Sequence, residues 1–126
     1  MTDTPNIPEA SAAQNIQDTA ARAAEAFGAL VETMALLRAP GGCPWDAEQT
    51  HASLIRYLVE EAYEVVEAVE TGGEPNMPLL REELGDVLLQ VVLHSDIAAA
   101  NPQGFDIVQV VEGLVQKLRS RHPDVF

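Results

Sequence analysis

The sequence predicts an all-α protein, a four-helix bundle, on three observations. Apolar residues recur at three- and four-residue steps, no stretch alternates apolar and polar residues as a half-buried strand does, and Gly and Pro cluster between the periodic stretches. Four helices with short connections imply a bundle or an interlocked dimer of helical hairpins. At 126 residues the chain is sized for one domain, which buries a modest core unless copies associate.

The elements follow in order. Residues 1–20 contain Pro5, Pro8 and few large apolar side chains, a composition that predicts a mobile tail ahead of one domain over residues 21–126. From about Ala20 to Arg38, Phe27, Leu30, Val31, Met34 and Leu37 mark one face of an amphipathic helix, which Ala39-Pro40-Gly41-Gly42 stops. Asp46, three residues before Gln49, reads as a capping box that restarts the chain as a second helix reaching Glu70, ended by Thr71-Gly72-Gly73. A loop through Pro75 and Pro78 leads to a third helix over about Leu79 to Ala100. Asp106 then caps a fourth, running to about Arg121.

Charge and cysteine content exclude several classes. A formal charge of -13 disfavours a nucleic-acid partner, since such binders present clustered Lys and Arg, and an anionic substrate would need a bridging cation. One cysteine, Cys43, allows no internal disulfide, and no Cys and His spacing suggests zinc. Without a leader-like segment or an apolar run of membrane-spanning length, the expected location is the cytoplasm, with no membrane partner.

Two acidic sets carry the chemistry. On the second helix Leu54, Ile55, Leu58, Val59, Ala62, Val65, Val66 and Val69 fill one sector, the expected core face, and Glu61, Glu64 and Glu60 fan out from its margin. The third helix is apolar around most of its circumference, so it should be buried on most sides. Its exception is a stripe of Glu83, Asp86, Gln90 and His94 at steps of three, four and four. A loop returns these helices antiparallel, so the carboxylates can converge. Oxygen ligands without thiolate select a hard cation, Mg²⁺ or Mn²⁺. The glutamate run also reads as a solvated helix face favoured by the macrodipole, but unpaired carboxylates inside an apolar helix are costly. Gln90 and His94 read as hydrogen-bonded core residues rather than ligands. Trp45 reads as a core anchor or as a ring that stacks on a ligand. Lys117 and Arg121, four apart on the last helix, either complement its dipole or meet phosphates.

The succession Gly-Gly-Cys43-Pro44-Trp45-Asp46-x-x-Gln49-Thr50-His51, Glu60-Glu61-x-Tyr63-Glu64, Glu83-Leu84-Gly85-Asp86 and Lys117-Leu118-Arg119-Ser120-Arg121-His122-Pro123 resembles the MazG-like nucleoside triphosphate pyrophosphohydrolases over residues 27–126. Order and spacing carry the likeness, since any one Glu-Glu-x-x-Glu is common. The resemblance implies a MazG-like bundle whose active sites form as helices associate in a homodimer, homotetramer or larger assembly. It also implies Mg²⁺-dependent cleavage of nucleoside triphosphates to monophosphate and pyrophosphate, a nucleotide-pool housekeeping reaction. Carried over by position, Glu61, Glu64, Glu83 and Asp86 would bind the metal and Glu60 would complete the site. Lys117 and Arg121 would face the substrate, and Trp45 would contact the base. The end departs from the pattern, with Asp124 where many members carry a second His. Longer members carry two such domains, so this chain resembles a single-domain form or a truncated copy.

The expected mechanism follows from charge: the cation neutralises the triphosphate, Lys117 and Arg121 stabilise the departing pyrophosphate, and Glu60 or Glu64 takes the proton of the attacking water. A di-iron carboxylate bundle is a rival, but it normally carries two Glu-x-x-His motifs, and only Glu48-x-x-His51 has that spacing here. The other alternative is a non-catalytic acidic helical module that dimerises or senses nucleotides.

Overall fold

The computed structural model describes residues 6–126, with side chains described from residue 11 onward. The helices are α1 (Asn6–Arg38), α2 (Pro44–Glu48), α3 (His51–Val69), α4 (Met77–Ala99) and α5 (Ile107–Ser120), and no strand occurs among the described residues. The all-α class therefore stands, with five helices in place of four.

Each difference from the expected elements has a local cause. Of the expected tail, residues 1–5 lie outside the described residues, whereas from Asn6 the backbone is already helical. Alanines at 10, 12, 13, 20, 21, 23, 24 and 26 favour helix without needing burial, and every side chain from residue 11 to 26 is exposed. Asp46 does not start the long second helix. The Pro44 ring sits in the first turn of α2, which ends at Glu48, and the capping box belongs to Thr50 and Ser53, whose backbone N–H groups and hydroxyls bond reciprocally at 3.0 and 2.9 Å. Pro78, expected in the loop, stands in the first turn of α4, where its missing N–H costs nothing. Asn76 caps that helix through Leu79 N–H. The Asp106 cap occurs as expected, reciprocated by Gln109.

Antiparallel α3 and α4 form the principal hairpin. Asn76 N–H donates to Ala68 O at its turn, and His51 meets His94 at its open end. Helix α1 packs on α2 and α4, and α5 packs on α4. The core is small: Met34, Leu54, Val92 and Leu93, with Phe27, Leu30, Val31, Leu89, Ile97 and Ile107 against it. It therefore lies where α1 crosses the C-terminal half of α4.

The expected core face of α3 is only partly covered. Leu54, Leu58 and Val65 turn inward, joined by Ala68 from outside the expected set, while Ile55, Val59, Ala62, Val66 and Val69 of that face are exposed. Helix α4 was expected to be buried on most sides, yet Leu84, Leu88 and Val91 form an exposed strip on it. The reason is the same for both: one chain supplies each helix of the hairpin with too few neighbours to cover its apolar surface. No described helix is long and apolar enough to cross a membrane.

Candidate metal centre

The inward stripe of α3 runs Leu54, Leu58, Glu61, Val65 and Ala68, at steps of four, three, four and three, so Glu61 occupies a core position. Facing it on α4 is the polar stripe Glu83, Asp86, Gln90 and His94, with Glu83 and Gln90 only 7% and 5% exposed. One carboxylate oxygen from each of Glu61, Glu64, Glu83 and Asp86 lies within 4.8 Å of the others. The two sequence sets thus converge across the hairpin.

No cation of the protein neutralises this cluster among the described residues, where the one ion pair joins Arg38 to Asp96. Glu61 Oε2 and Glu83 Oε2 are buried without a hydrogen-bond partner. Burial, and then the charges of Asp86, Glu64 and Glu60, push the Glu61 carboxyl upward. Glu83 is pushed up to about 7, first by hydrogen bonding with Glu64, which requires a proton, then by burial and by the charges of Glu64, Asp86 and Glu61. Buried carboxylate oxygens without donors, forced together by two helices, fit a hard divalent cation. All four residues could hold Mg²⁺ or Mn²⁺.

The remaining expected residues are dispersed. Glu60 is exposed and outside the group of four, acting on Glu61 only through its charge. Trp45 lies on α2, 52% exposed, its ring edge-to-face with Tyr57 at 6.1 Å between centroids. Lys117 stands in the last turn of α5 and Arg121 at its C-cap, both exposed and on a helix that packs against α4 and not α3. Within one chain, the basic pair is not joined to the carboxylates.

Two pairings toward the open end of the hairpin were not expected from the sequence. The His51 and His94 rings stack nearly parallel, with Nδ1 atoms 2.8 Å apart, so one donates and the other accepts. Burial, and then His51, lower the His94 pKa, and His94 Nε2 is buried without a partner. The second feature is Arg38, whose Nε donates to Asp46 O at 3.1 Å and whose Nη1 donates to Asp96 at 2.6 Å. Neither pair has a local spacing signal, since the partners come from different helices.

Comparison with known proteins gives the same part of the chain a family context. Residues 49–126 match the model of the MazG nucleotide pyrophosphohydrolase domain. Over 100 residues the chain is 51% identical to the nucleoside triphosphate pyrophosphohydrolase/pyrophosphatase MazG of Thermotoga maritima, covering 79% of this chain and 38% of that protein. It is 52% identical over 101 residues to the nucleoside triphosphate pyrophosphohydrolase of Mycolicibacterium smegmatis, covering 77% of this chain and 30% of the relative. The protein of that name in Escherichia coli is 42% identical over 98 residues, covering 77% and 36%. The chain therefore spans about a third of the length of these relatives, between 30% and 38%.

Proposed function

This chain belongs to the MazG nucleotide pyrophosphohydrolase family, and from that premise we propose that it hydrolyses nucleoside triphosphates to nucleoside monophosphate and pyrophosphate, with Mg²⁺ held by Glu61, Glu64, Glu83 and Asp86. Mn²⁺ suits the same oxygen ligands. The observation that carries the reading is the four converging carboxylates, two with buried oxygens that no donor satisfies. A bound divalent cation would supply neutralisation of the triphosphate and polarisation at phosphorus.

The chain's own residues do the rest. Glu83 must give up the proton that its surroundings favour before it can serve as a ligand, and burial with neighbouring negative charge pushes the Glu61 carboxyl in the same direction. Glu64, exposed at the open side of the cluster, or Glu60 beside it takes the proton of the attacking water. Lys117 and Arg121 hold the departing pyrophosphate, and Trp45 lies over the base. Since α5 packs away from α3, the basic pair reaches the carboxylates when copies associate as a homodimer or homotetramer, with residues 21–126 as the unit that assembles.

The test is pyrophosphate release from a panel of nucleoside triphosphates, with Mg²⁺ or with EDTA, for wild type and Asp86→Asn. Release that needs the metal, appears together with monophosphate, and falls about a hundredfold or more in the variant is the expected outcome. Release that survives EDTA, or no release from any nucleotide, would sink the proposal.

A further inference from the structure

We propose that Arg38 is a positioning residue for this reaction: it ties the turn that carries Trp45 to α4, so that the indole stands at a set place beside the carboxylate centre to meet the nucleobase. The inference rests on the reading of Trp45 as the base contact. It names what fixes that contact.

Trp45 needs fixing from outside. It sits in a helix of five residues, too short to hold its own shape, and its side chain is 52% exposed, so burial does not restrain it. The turn is bonded to α1 through Cys43 N–H and Leu37 O, and two side-chain anchors tie it to the α3–α4 hairpin. On the α3 side, Gln49 Nε2 donates to Trp45 O at 2.9 Å, Ser53 Oγ donates to Gln49 Oε1 at 2.8 Å, and the Tyr57 ring meets the indole edge-on. Tyr57 lies one helical turn before Glu61, so this anchor brings the indole toward the metal centre.

The α4 side has a single residue. One guanidinium bonds the Asp46 carbonyl through Nε and the Asp96 carboxylate through Nη1, joining the end of α1, the α2 turn and α4. At 14% exposure its side chain is largely shielded, so the pair with Asp96 is weakly screened by solvent. The planar fork holds two acceptors on different elements at a fixed angle, which a lysine ammonium does not. Helices α3 and α4 also carry the four carboxylates, so both anchors refer Trp45 to the frame that would hold the triphosphate. A substrate bound at both ends needs that separation to be constant.

The test uses Trp45 as its own reporter, since it is the only tryptophan. Arg38→Met, Arg38→Lys and Asp96→Ala are compared with wild type by acrylamide quenching and steady-state kinetics, with circular dichroism to confirm folding. The Lys variant keeps a cation for Asp96 and serves where Arg38→Met does not fold. We expect about twofold stronger quenching and a KM about tenfold higher, with kcat within about threefold of wild type. In a Trp45→Ala background, Arg38→Met should change KM by less than about twofold, because its effect passes through the missing indole. Unchanged quenching, a full KM effect without Trp45, or a fall in kcat alone would overturn the assignment. Absence of turnover in wild type would instead bring down the enzymatic reading, and the reaction role of Arg38 with it.

Discussion

Glu83 couples the protonation of the centre to the stability of the fold. Its carboxyl is pushed up to about 7 by hydrogen bonding with Glu64, burial and neighbouring charge, so the folded chain holds a proton that the unfolded chain releases near 4.5. Its contribution is therefore complete below about 4.5 and lost as pH rises through about 7. In EDTA, melting temperature should fall between pH 5 and pH 8, and Glu83→Gln, neutral throughout, should flatten that fall. Added Mg²⁺ should raise the wild-type melting temperature more at pH 8 than at pH 5, because the cation competes with protons for the same oxygens, and should raise that of Glu83→Gln little. A wild-type profile unaffected by Mg²⁺ at pH 8 would remove the carboxylates from metal binding. These four residues were legible in the sequence because each breaks or borders an apolar helical stripe at steps of three or four. The His51–His94 and Arg38–Asp96 pairs were not, since their partners are 43 and 58 residues apart and meet only once α1, α3 and α4 have packed.

Helix ends were legible where a cap and a turn residue coincide and misread where two candidates compete. Asp106 had no rival, and the expected cap formed, with Gln109 completing a capping box that the sequence expectation did not include. Asp46 with Gln49 competed with Thr50 and Ser53 four residues later, and Pro44 decided the outcome by favouring a separate first turn at α2. The extra helix matters because it carries Trp45. Its geometry begins at Gly41 and Gly42: Gly41 has φ 87°, and a Cβ on Gly42 would run into the Leu36 and Leu37 carbonyls, where Cys43 N–H donates to Leu37 O at 2.7 Å. Gly42→Ala should therefore destabilise the fold by about 2 kcal/mol or more, as an unrelieved backbone clash does. Thr50→Ala, which removes one cap bond from α3, should cost about 1 kcal/mol. Urea denaturation of both variants checks the order, and a Gly42→Ala variant as stable as wild type would show that the turn tolerates another path.

The whole molecule exposes more surface than its size calls for. A compact chain of 13.6 kDa would expose about 6,600 Å², whereas this one exposes 9568 Å². Part of the excess is the exposed stretch of α1 over residues 11–26, and part is apolar: Leu84, Leu88 and Val91 on α4, Ile55 and Val59 on α3, and Val108, Leu114 and Leu118 on α5. The apolar periodicity of α3 and α4 was legible in the sequence, but which half of each face stays uncovered was not, because that depends on how many neighbours one chain can supply. The proposed homo-oligomer covers these strips and brings a basic pair to each carboxylate centre, so assembly and activity should fail together. Leu88→Lys places a charge in the α4 strip, on the opposite side of the helix from Glu83 and Gln90, where a lone chain leaves it solvated. It should keep helical circular dichroism while sedimenting as a 13.6 kDa monomer, and its turnover should drop about a hundredfold or more, as when a donor that stabilises the departing charge is removed. Wild type should sediment as a dimer or tetramer, with specific activity falling on dilution as it dissociates. A wild-type monomer with full, concentration-independent turnover would mean that one chain brings Lys117 and Arg121 to its own centre, which requires α5 to leave its place on α4 when substrate binds.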